Sequence, residues 1–294
     1  MPIEPQKALA AKFAPSTSSY EQDDVILYHL GVGAGVPATD ANELEYTYEK
    51  SLKVLPSFGV VPVFASMGAS LFNVEGLKFN PTMLLHGEQD IEIHRPLPTA
   101  AQLESQVRIA GIYDKGKAAL VVLEVATKEP GGAPLFTNRF SLFLRGEGGF
   151  GGPRGPEGEP GAAGHGPARE APARAADLTV ESKTLPQQAL LYRLSGDKNP
   201  LHADPGFAKM GGFDTPILHG LCSFGIVCKA AVDHALAGDV TKVARYQARF
   251  AGVFFPGETM VTSIWREGKQ LLLASKSKER GTPVLSNAAI TLRG

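Results

Sequence analysis

Two side chains that can exchange protons near neutral pH stand five positions apart in a segment that cannot form a regular helix. Residues 192–208 read YRLSGDKNPLHADPGFA and include Asp197 and His202. Gly196 favours a sharp turn, and Pro200 prevents a helix from continuing through the segment. Because a loop allows the carboxylate and the imidazole to converge, the pair could act as a general acid and a general base.

Asn199 stands between these two side chains and can orient a water molecule or a neighbouring side chain. The same residues also fit a purely structural interpretation, in which Asp197 caps the following turn and His202 packs against its surroundings. Residue types and spacing leave both interpretations open.

A long apolar segment with helical periodicity follows the loop. Residues 221–238 read LCSFGIVCKAAVDHALAG and carry almost no charge before Lys229 and Asp233. Their apolar side chains recur at three- or four-residue steps, which predicts a helix that is buried for most of its length. The two cysteines of the chain, Cys222 and Cys228, lie in this segment, and we expect them to be reduced and buried.

His219 precedes the apolar segment and could combine with His202 in a metal site. The sequence offers no third ligand at a recognised spacing, so we expect no metal. In the structural alternative, His219 holds the loop in front of the helix.

The two parts of the chain have similar strand patterns. Residues 88–144 and 245–292 each show a strand, a Pro-containing turn and a second strand, then a charged Gly turn, a third strand, a Gly/Pro turn and a last strand. This order is that of an antiparallel meander, and an apolar stretch of helical character precedes each one. The pattern predicts an α+β double hot dog, with two antiparallel sheets each wrapped around a central helix and packed as a pseudo-dimer.

A stretch rich in Gly and Pro separates these two parts. Residues 146–167 read GEGGFGGPRGPEGEPGAAGHGP, a composition typical of a flexible, partly extended linker. We therefore expect a first half at residues 1–145, a linker at 146–176, and a second half at 177–294 that carries the Asp197–His202 loop.

Composition limits the classes of partner. The chain has 294 residues, 43% hydrophobic and 20% charged, with a net charge of −1, so no global field attracts nucleic acid or an anionic membrane. No apolar run approaches the ~18 residues of a membrane span, and no signal peptide is evident. We expect a cytoplasmic protein without nucleic-acid partners, and a homodimer.

Residues 192–208 resemble, over their whole length, the signature of the MaoC-like (R)-specific enoyl-CoA hydratases, including SGD and NPLH. Four further segments are also similar to this family: FDTPILHGLCSFG, HGEQDIEIHRPLP, FSLFLRGEGGFGG and ARFAGVFFPGETM. Within the family, the chain resembles in particular the hydratase-2 domains of peroxisomal multifunctional enzyme type 2. The resemblance implies a double hot dog in which the first half has lost its catalytic loop.

The resemblance also implies a reaction and roles for four residues. Water would add to a trans-2-enoyl-CoA to give a (3R)-3-hydroxyacyl-CoA, with no cofactor and with coenzyme A as part of the substrate. Asp197 and His202 would hold the water and move the protons, and Asn199 would help to fix the water. The backbone N–H of Gly220, at the start of the buried helix, would face the thioester oxygen.

Three further residues are candidates for substrate binding. Glu88 lies in the HGEQ motif of the first half, and its alternative role is that of a structural carboxylate between the halves. Lys198 and Arg249 could contact the phosphates of CoA. A peroxisomal location would follow if the chain belonged to a larger multifunctional enzyme.

Other functions remain compatible with this pattern. One is a 3-hydroxyacyl dehydratase that acts on carrier-protein, branched or steroid side-chain thioesters, and another is a non-catalytic thioester-binding module. For the hydratase we expect medium or long acyl chains, with residues 61–77 lining an apolar tunnel in the first half.

Overall fold

The computed structural model describes residues 3–64, 71–156 and 170–294. In the first half it contains the helices α1 (Pro5–Leu9), α2 (Gln22–Gly31) and α3 (Ala41–Thr47), and the strands β1 (Ser16–Tyr20), β2 (Leu84–Ile93), β3 (Ala101–Asp114), β4 (Ala118–Lys128) and β5 (Pro134–Arg145). In the second half it contains α4 (Gln188–Tyr192), α5 (Pro205–Met210) and α6 (Gly220–Ala235), and the strands β6 (Leu178–Lys183), β7 (Val243–Phe250), β8 (Thr259–Glu267), β9 (Gln270–Ser277) and β10 (Pro283–Leu292). No helix among these described residues is long and apolar enough to cross a membrane.

The described strands form one antiparallel sheet in the order β1-β3-β4-β5-β2-β7-β10-β9-β8-β6. Each half contributes five neighbouring strands, and β2 joins β7 at the centre. The order within one half mirrors that within the other. This pseudo-symmetric arrangement around a buried helix is the α+β double hot dog that the sequence predicted.

The predicted meander order is wrong for the first strand of each four-strand pattern, β2 in the first half and β7 in the second. β3, β4 and β5 are consecutive neighbours, as are β8, β9 and β10, but β2 pairs with β5 and β7 pairs with β10. The connection from β2 to β3 therefore crosses the end of the sheet instead of closing a hairpin. Turn chemistry shows where a strand ends but does not determine which strand lies beside it.

The helix α6 runs through the core, as its periodicity predicted. Its residues from Leu221 to Val232 are buried, and Phe224 stacks on Tyr246 of β7 with ring centroids 3.9 Å apart. In the first half a short 3-10 turn, Pro56–Val60, packs against α6. The predicted tunnel lining at 61–77 includes residues 65–70, which lie outside the described residues.

Buried charges join the two halves across the β2–β7 junction. Asp90 of β2 is only 1% exposed and accepts two hydrogen bonds from Arg245 of β7, at 2.8 Å and 2.6 Å. Arg139 of β5 adds a contact to Asp90 at 3.4 Å and one to Glu124 at 2.9 Å. Because the Asp90–Arg245 hydrogen bonds require β2 and β7 to pair in this register, the network favours one fixed docking of the halves.

The first part of the Gly-rich stretch is tied to the body of the protein. The Asp114 carboxylate, at the end of β3, accepts N–H groups from Gly116, Gly149 and Gly151 at 2.7, 2.9 and 2.8 Å. The Asp114 N–H donates to the Pro153 carbonyl at 2.8 Å. Residues 146–156 therefore pack on the β3–β4 turn, whereas residues 157–169 lie outside the described residues, and the domain boundaries stay a prediction.

Candidate active site

The loop before α5 is shaped by its own side chains. Gly196 adopts a φ of +122°, which other residues rarely adopt. The Asn199 N–H donates to Asp197 Oδ1 at 3.0 Å, and Asn199 Oδ1 accepts the Leu201 N–H at 3.0 Å. Asn199 thereby caps the 3-10 turn Pro200–His202, which turns the imidazole of His202 inward.

His202 is held in one orientation and one tautomer. Its Nδ1 lies 2.9 Å from the carbonyl oxygen of Ile217, so Nδ1–H donates and Nε2 keeps a lone pair. Burial lowers the pKa of His202 below its usual 6.5, while the Ile217 bond and the negative charge of Asp197 oppose this shift. A neutral imidazole with a free Nε2 is suited to accept a proton.

His219 holds the loop in front of α6, in agreement with the structural alternative stated for it, and it also contacts His202. Its ring stacks on His202 with centroids 3.7 Å apart, and its Nε2 donates to the backbone oxygen of Asp197 at 3.2 Å. Burial, followed by the proximity of His202, lowers the pKa of His219 to about 3. His219 therefore stays neutral and holds both members of the pair, and its position directly before Gly220 was the available signal.

The sequence gave no reason to single out Tyr192. This tyrosine is buried, and its ring centroid lies 5.0 Å from that of His219. Its ring packs near that of His219, and its place at the start of the 192–208 segment was the only signal.

Asp197, His202 and His219 together form the one described group that could be considered for a metal. Their ligand atoms lie within 4.8 Å of one another, so Asp197 supplies the third ligand that the sequence did not offer. However, His202 Nδ1 and His219 Nε2 already bond to the backbone carbonyls of Ile217 and Asp197, and the two rings stack on each other with centroids 3.7 Å apart. The geometry fits an acid/base pair better than a metal centre.

Gly220 begins α6 beside this pair. His219, which precedes the helix, makes no side-chain capping hydrogen bond, and Gly220 is exposed. A helix start of this kind leaves N–H groups free to bind a negatively charged oxygen. A Cβ on residue 220 would lie 3.1 Å from the ring of Phe250, so the absence of a side chain keeps this approach open.

The other predicted binding residues make their printed contacts with residues outside this group. Glu88 and Arg249 face each other across the β2–β7 junction and form an ion pair at 2.7 Å. This pairing agrees with the structural alternative stated for Glu88. The side chain of Lys198 is exposed, and its backbone carbonyl accepts a hydrogen bond from Arg193 at 3.3 Å.

A double hot dog with one acid/base loop defines the class of the MaoC-like dehydratases and hydratases. Residues 18–146 match the family model of the MFE-2 hydratase 2 N-terminal domain, and residues 167–288 match that of the MaoC like domain. The chain belongs to the hydratase-2 branch of the MaoC-like family.

Relatives and solved structures agree with this assignment. The chain is 43% identical to enoyl-CoA hydratase ChsH3 of Mycobacterium tuberculosis, over 97% of each chain. It is also 43% identical to the peroxisomal enoyl-CoA hydratase 2 of Arabidopsis thaliana, over 97% of this chain and 94% of that one. The crystal structure of a MaoC-like dehydratase from Phytophthora capsici superimposes with a TM-score of 0.85 at 35% identity, over 98% of both chains.

Proposed function

We propose that this protein is an (R)-specific 2-enoyl-CoA hydratase that adds water to trans-2-enoyl-CoA and gives (3R)-3-hydroxyacyl-CoA. The observation that carries the proposal is the convergence of Asp197 and His202, whose polar atoms lie within 4.8 Å of each other in the loop that precedes the open start of α6. The names of relatives at 43% identity over nearly the whole chain support the same reaction.

The chemistry follows from the polarity of the substrate. Conjugation with the thioester makes C3 electrophilic, so the oxygen of water attacks C3 while negative charge develops on the thioester oxygen. His202 Nε2 and the Asp197 carboxylate would hold the water and take up one proton, and C2 would receive a proton from the same pair. The N–H of Gly220 would stabilise the thioester oxygen in the transition state.

Asn199 has an indirect part in this proposal. Its side-chain Oδ1 accepts the backbone N–H of Leu201, and its backbone N–H donates to Asp197 Oδ1. We infer that Asn199 positions the carboxylate more than it holds the water. Because hydration transfers no electrons and the pair supplies the protons, we propose that the reaction needs no cofactor.

One relative favours a second activity on the same site. The chain is 40% identical to a 3-hydroxyacyl-thioester dehydratase of Mycobacterium tuberculosis, over 90% of this chain and 88% of that one. Dehydration is the reverse of hydration, so one acid/base pair serves both directions. Substrate preference would then separate the two functions.

An assay at the absorbance of the enoyl thioester tests the proposal. We expect the absorbance to fall when purified protein meets trans-2-enoyl-CoA, with lower kcat/KM on the matching carrier-protein substrate. Faster turnover of the carrier-protein thioester would favour the dehydratase. The absence of turnover on both would favour a non-catalytic module. Parallel assays with short, medium and long chains test the predicted acyl preference.

Assembly and compartment are further parts of the proposal. We propose a homodimer, which sedimentation of the purified protein tests directly. Several relatives are named as peroxisomal proteins, whereas the sequence of this chain predicts the cytoplasm, and imaging of the tagged protein in its own cells distinguishes the two.

A further inference from the structure

The end of α2, in the first half, lies between two helices of the second half that lead to the proposed reacting groups. α4 ends at Tyr192, and only a short 3-10 turn and a glycine separate it from Asp197. α6 begins at Gly220, whose N–H is the proposed donor to the thioester oxygen. Gly31, the last residue of α2, is hydrogen-bonded to side chains of both helices. The first half is therefore in contact with both elements that carry the proposed chemistry.

These hydrogen bonds converge on one backbone carbonyl. The oxygen of Gly31 accepts Nε2 of Gln188 in α4 at 2.7 Å and Sγ of Cys222 in α6 at 3.3 Å. Gln188 Nε2 also donates to the Leu30 oxygen at 3.1 Å, and its Oε1 accepts the Leu185 N–H at 3.1 Å. Gln188 is 1% exposed and Cys222 is fully buried. Because the last carbonyls of a helix have no partner within it, side chains of the second half complete the end of α2.

Two glycines allow α2 to approach both helices closely. A Cβ on Gly31 would lie 3.2 Å from the Cα of Tyr192 and 3.4 Å from its ring. On α6, a Cβ on Gly225 would lie 2.6 Å from the Tyr28 hydroxyl and 2.5 Å from a methyl group of Val32. Neither α4 nor α6 can therefore move toward α2, and the end of α2 sets the spacing between them.

A row of aromatic rings continues from this contact to the acid/base pair. The ring centroid of Tyr192 lies 6.0 Å from that of Tyr28 and 5.0 Å from that of His219. His219 in turn stacks on His202 at 3.7 Å. Because protein interiors are close-packed, a displacement of Tyr192 changes how His219 supports and covers His202.

We propose that the end of α2 positions the active site, and that Gln188 is the residue that holds the catalytic loop in place relative to the start of α6. The proposal rests on the hydratase function proposed above and gives the first half a part in it. Gln188 touches none of the reacting atoms and acts through Tyr192 and His219. Since displacements of about 1 Å can lower a rate by about 100-fold, the effect should appear in kcat.

Gln188→Met tests this role, because it keeps the length of the side chain and removes both hydrogen bonds to α2. We expect kcat to fall at least about tenfold while KM changes less than about twofold. The acid limb of the pH profile of kcat/KM should move up toward pH 6.5, because looser packing lets water reach His202.

Thr127→Val is the matched control. It removes the buried hydrogen bond between Thr127 and Ser105, 2.9 Å long, in the outer strands of the first half. We expect a lower melting temperature in both variants, but a wild-type kcat and a wild-type acid limb in Thr127→Val. A purely structural role of Gln188 would give both variants the same kinetic behaviour.

The outcomes separate this proposal from the proposed function. If the wild-type protein does not turn over trans-2-enoyl-CoA, the hydratase function is wrong and the positioning role falls with it. If the wild-type protein is active and Gln188→Met matches Thr127→Val in kcat and acid limb, the positioning role alone is wrong.

A second pair of variants covers the case in which circular dichroism shows that Gln188→Met does not fold. Cys222→Ala removes the other donor to Gly31, and Cys222→Ser restores one. We expect kcat to fall about threefold in Cys222→Ala and to return to the wild-type value in Cys222→Ser. Equal kcat in these two variants and the wild-type protein would overturn the positioning role.

Discussion

His202 shows how neighbouring groups prepare a single side chain for proton transfer. The Ile217 carbonyl fixes the tautomer at Nδ1, the stacked ring of His219 fixes the plane, and Nε2 is left with a lone pair. Asp197 is held in turn through its carboxylate by the Asn199 N–H and through its backbone by His219. The two side chains are therefore largely fixed before the substrate binds, so that little of their conformational entropy is lost on binding.

The first prediction concerns the pair itself. Asp197→Asn and His202→Gln should each lower kcat by at least about 100-fold, the usual scale for acid/base groups, with a much smaller change in KM. The double variant should be little worse than either single variant, because both groups act on one water. Steady-state kinetics on folded protein measures this. Turnover of Asp197→Asn within a few-fold of the wild-type rate would remove Asp197 from the mechanism.

The second prediction is a pH profile. Because burial lowers the pKa of His202, the acid limb of kcat/KM should lie below pH 6.5, with activity lost as falling pH protonates Nε2. Asp197 raises this pKa, so the acid limb of the residual activity in Asp197→Asn should move to still lower pH. A wild-type acid limb above pH 6.5, or a shift of the opposite sign in the variant, would contradict the assigned environment.

At the scale of elements, the start of α6 has to remain both open and rich in free N–H groups. Gly220→Ala adds a Cβ against Phe250 but keeps the N–H. Gly220→Pro adds the same Cβ and removes the N–H, at a first helical position where proline is well tolerated. The backbone of His219, with a φ of −59° and a ψ of 136°, is compatible with a following proline.

The third prediction uses this pair of variants. Gly220→Pro should show a kcat about 100-fold lower than that of Gly220→Ala, because loss of one donor to a developing oxyanion has an effect of that size. Kinetics of both variants, with their melting temperatures, measures the difference. Equal turnover of the two folded variants would mean that this N–H does not bind the thioester oxygen.

The elements differ in how far the sequence predicts them. The periodicity of α6 is local, so its position and burial were predictable from residues 221–238 alone. The partners of β2 and β7 were not, because pairing depends on the closure of the whole sheet. The loop that carries Asp197 and His202 was singled out by its motif, and the structure brings the two side chains together. The position of His219 before α6 indicated that it holds the loop but not that it stacks on His202, and the anchoring of residues 146–156 by Asp114 joins distant parts of the chain and leaves no local signal.

At the scale of the molecule, a shared hydrophobic core and charged side chains across the β2–β7 junction join the two halves. The hydrophobic core is shared, with Phe58 of the first half and Phe224 of the second in one cluster. The junction adds the Asp90–Arg245 pair, which only one register of β2 on β7 allows. The first half contains no counterpart of the SGDKNPLH motif and supports the second half through this shared core.

The fourth prediction concerns this junction. Asp90→Ala removes the buried carboxylate that accepts two hydrogen bonds from Arg245 and one contact from Arg139, and should lower the free energy of unfolding by about 3 kcal/mol. Glu181→Gln breaks the exposed Glu181–Lys278 pair and should change it by less than about 1 kcal/mol. Urea denaturation of both variants measures the contrast. Similar losses in the two would show that the junction charges do not hold the halves together.

The central claim is that the Asp197–His202 pair delivers water to one face of an enoyl-CoA. Chiral chromatography of the product from wild-type protein and trans-2-enoyl-CoA tests it most directly, with Asp197→Asn as the control that should form little product. We predict almost pure (3R)-3-hydroxyacyl-CoA. A predominantly (3S) product would contradict the claim. So would a racemic product that Asp197→Asn forms as fast as the wild-type protein does.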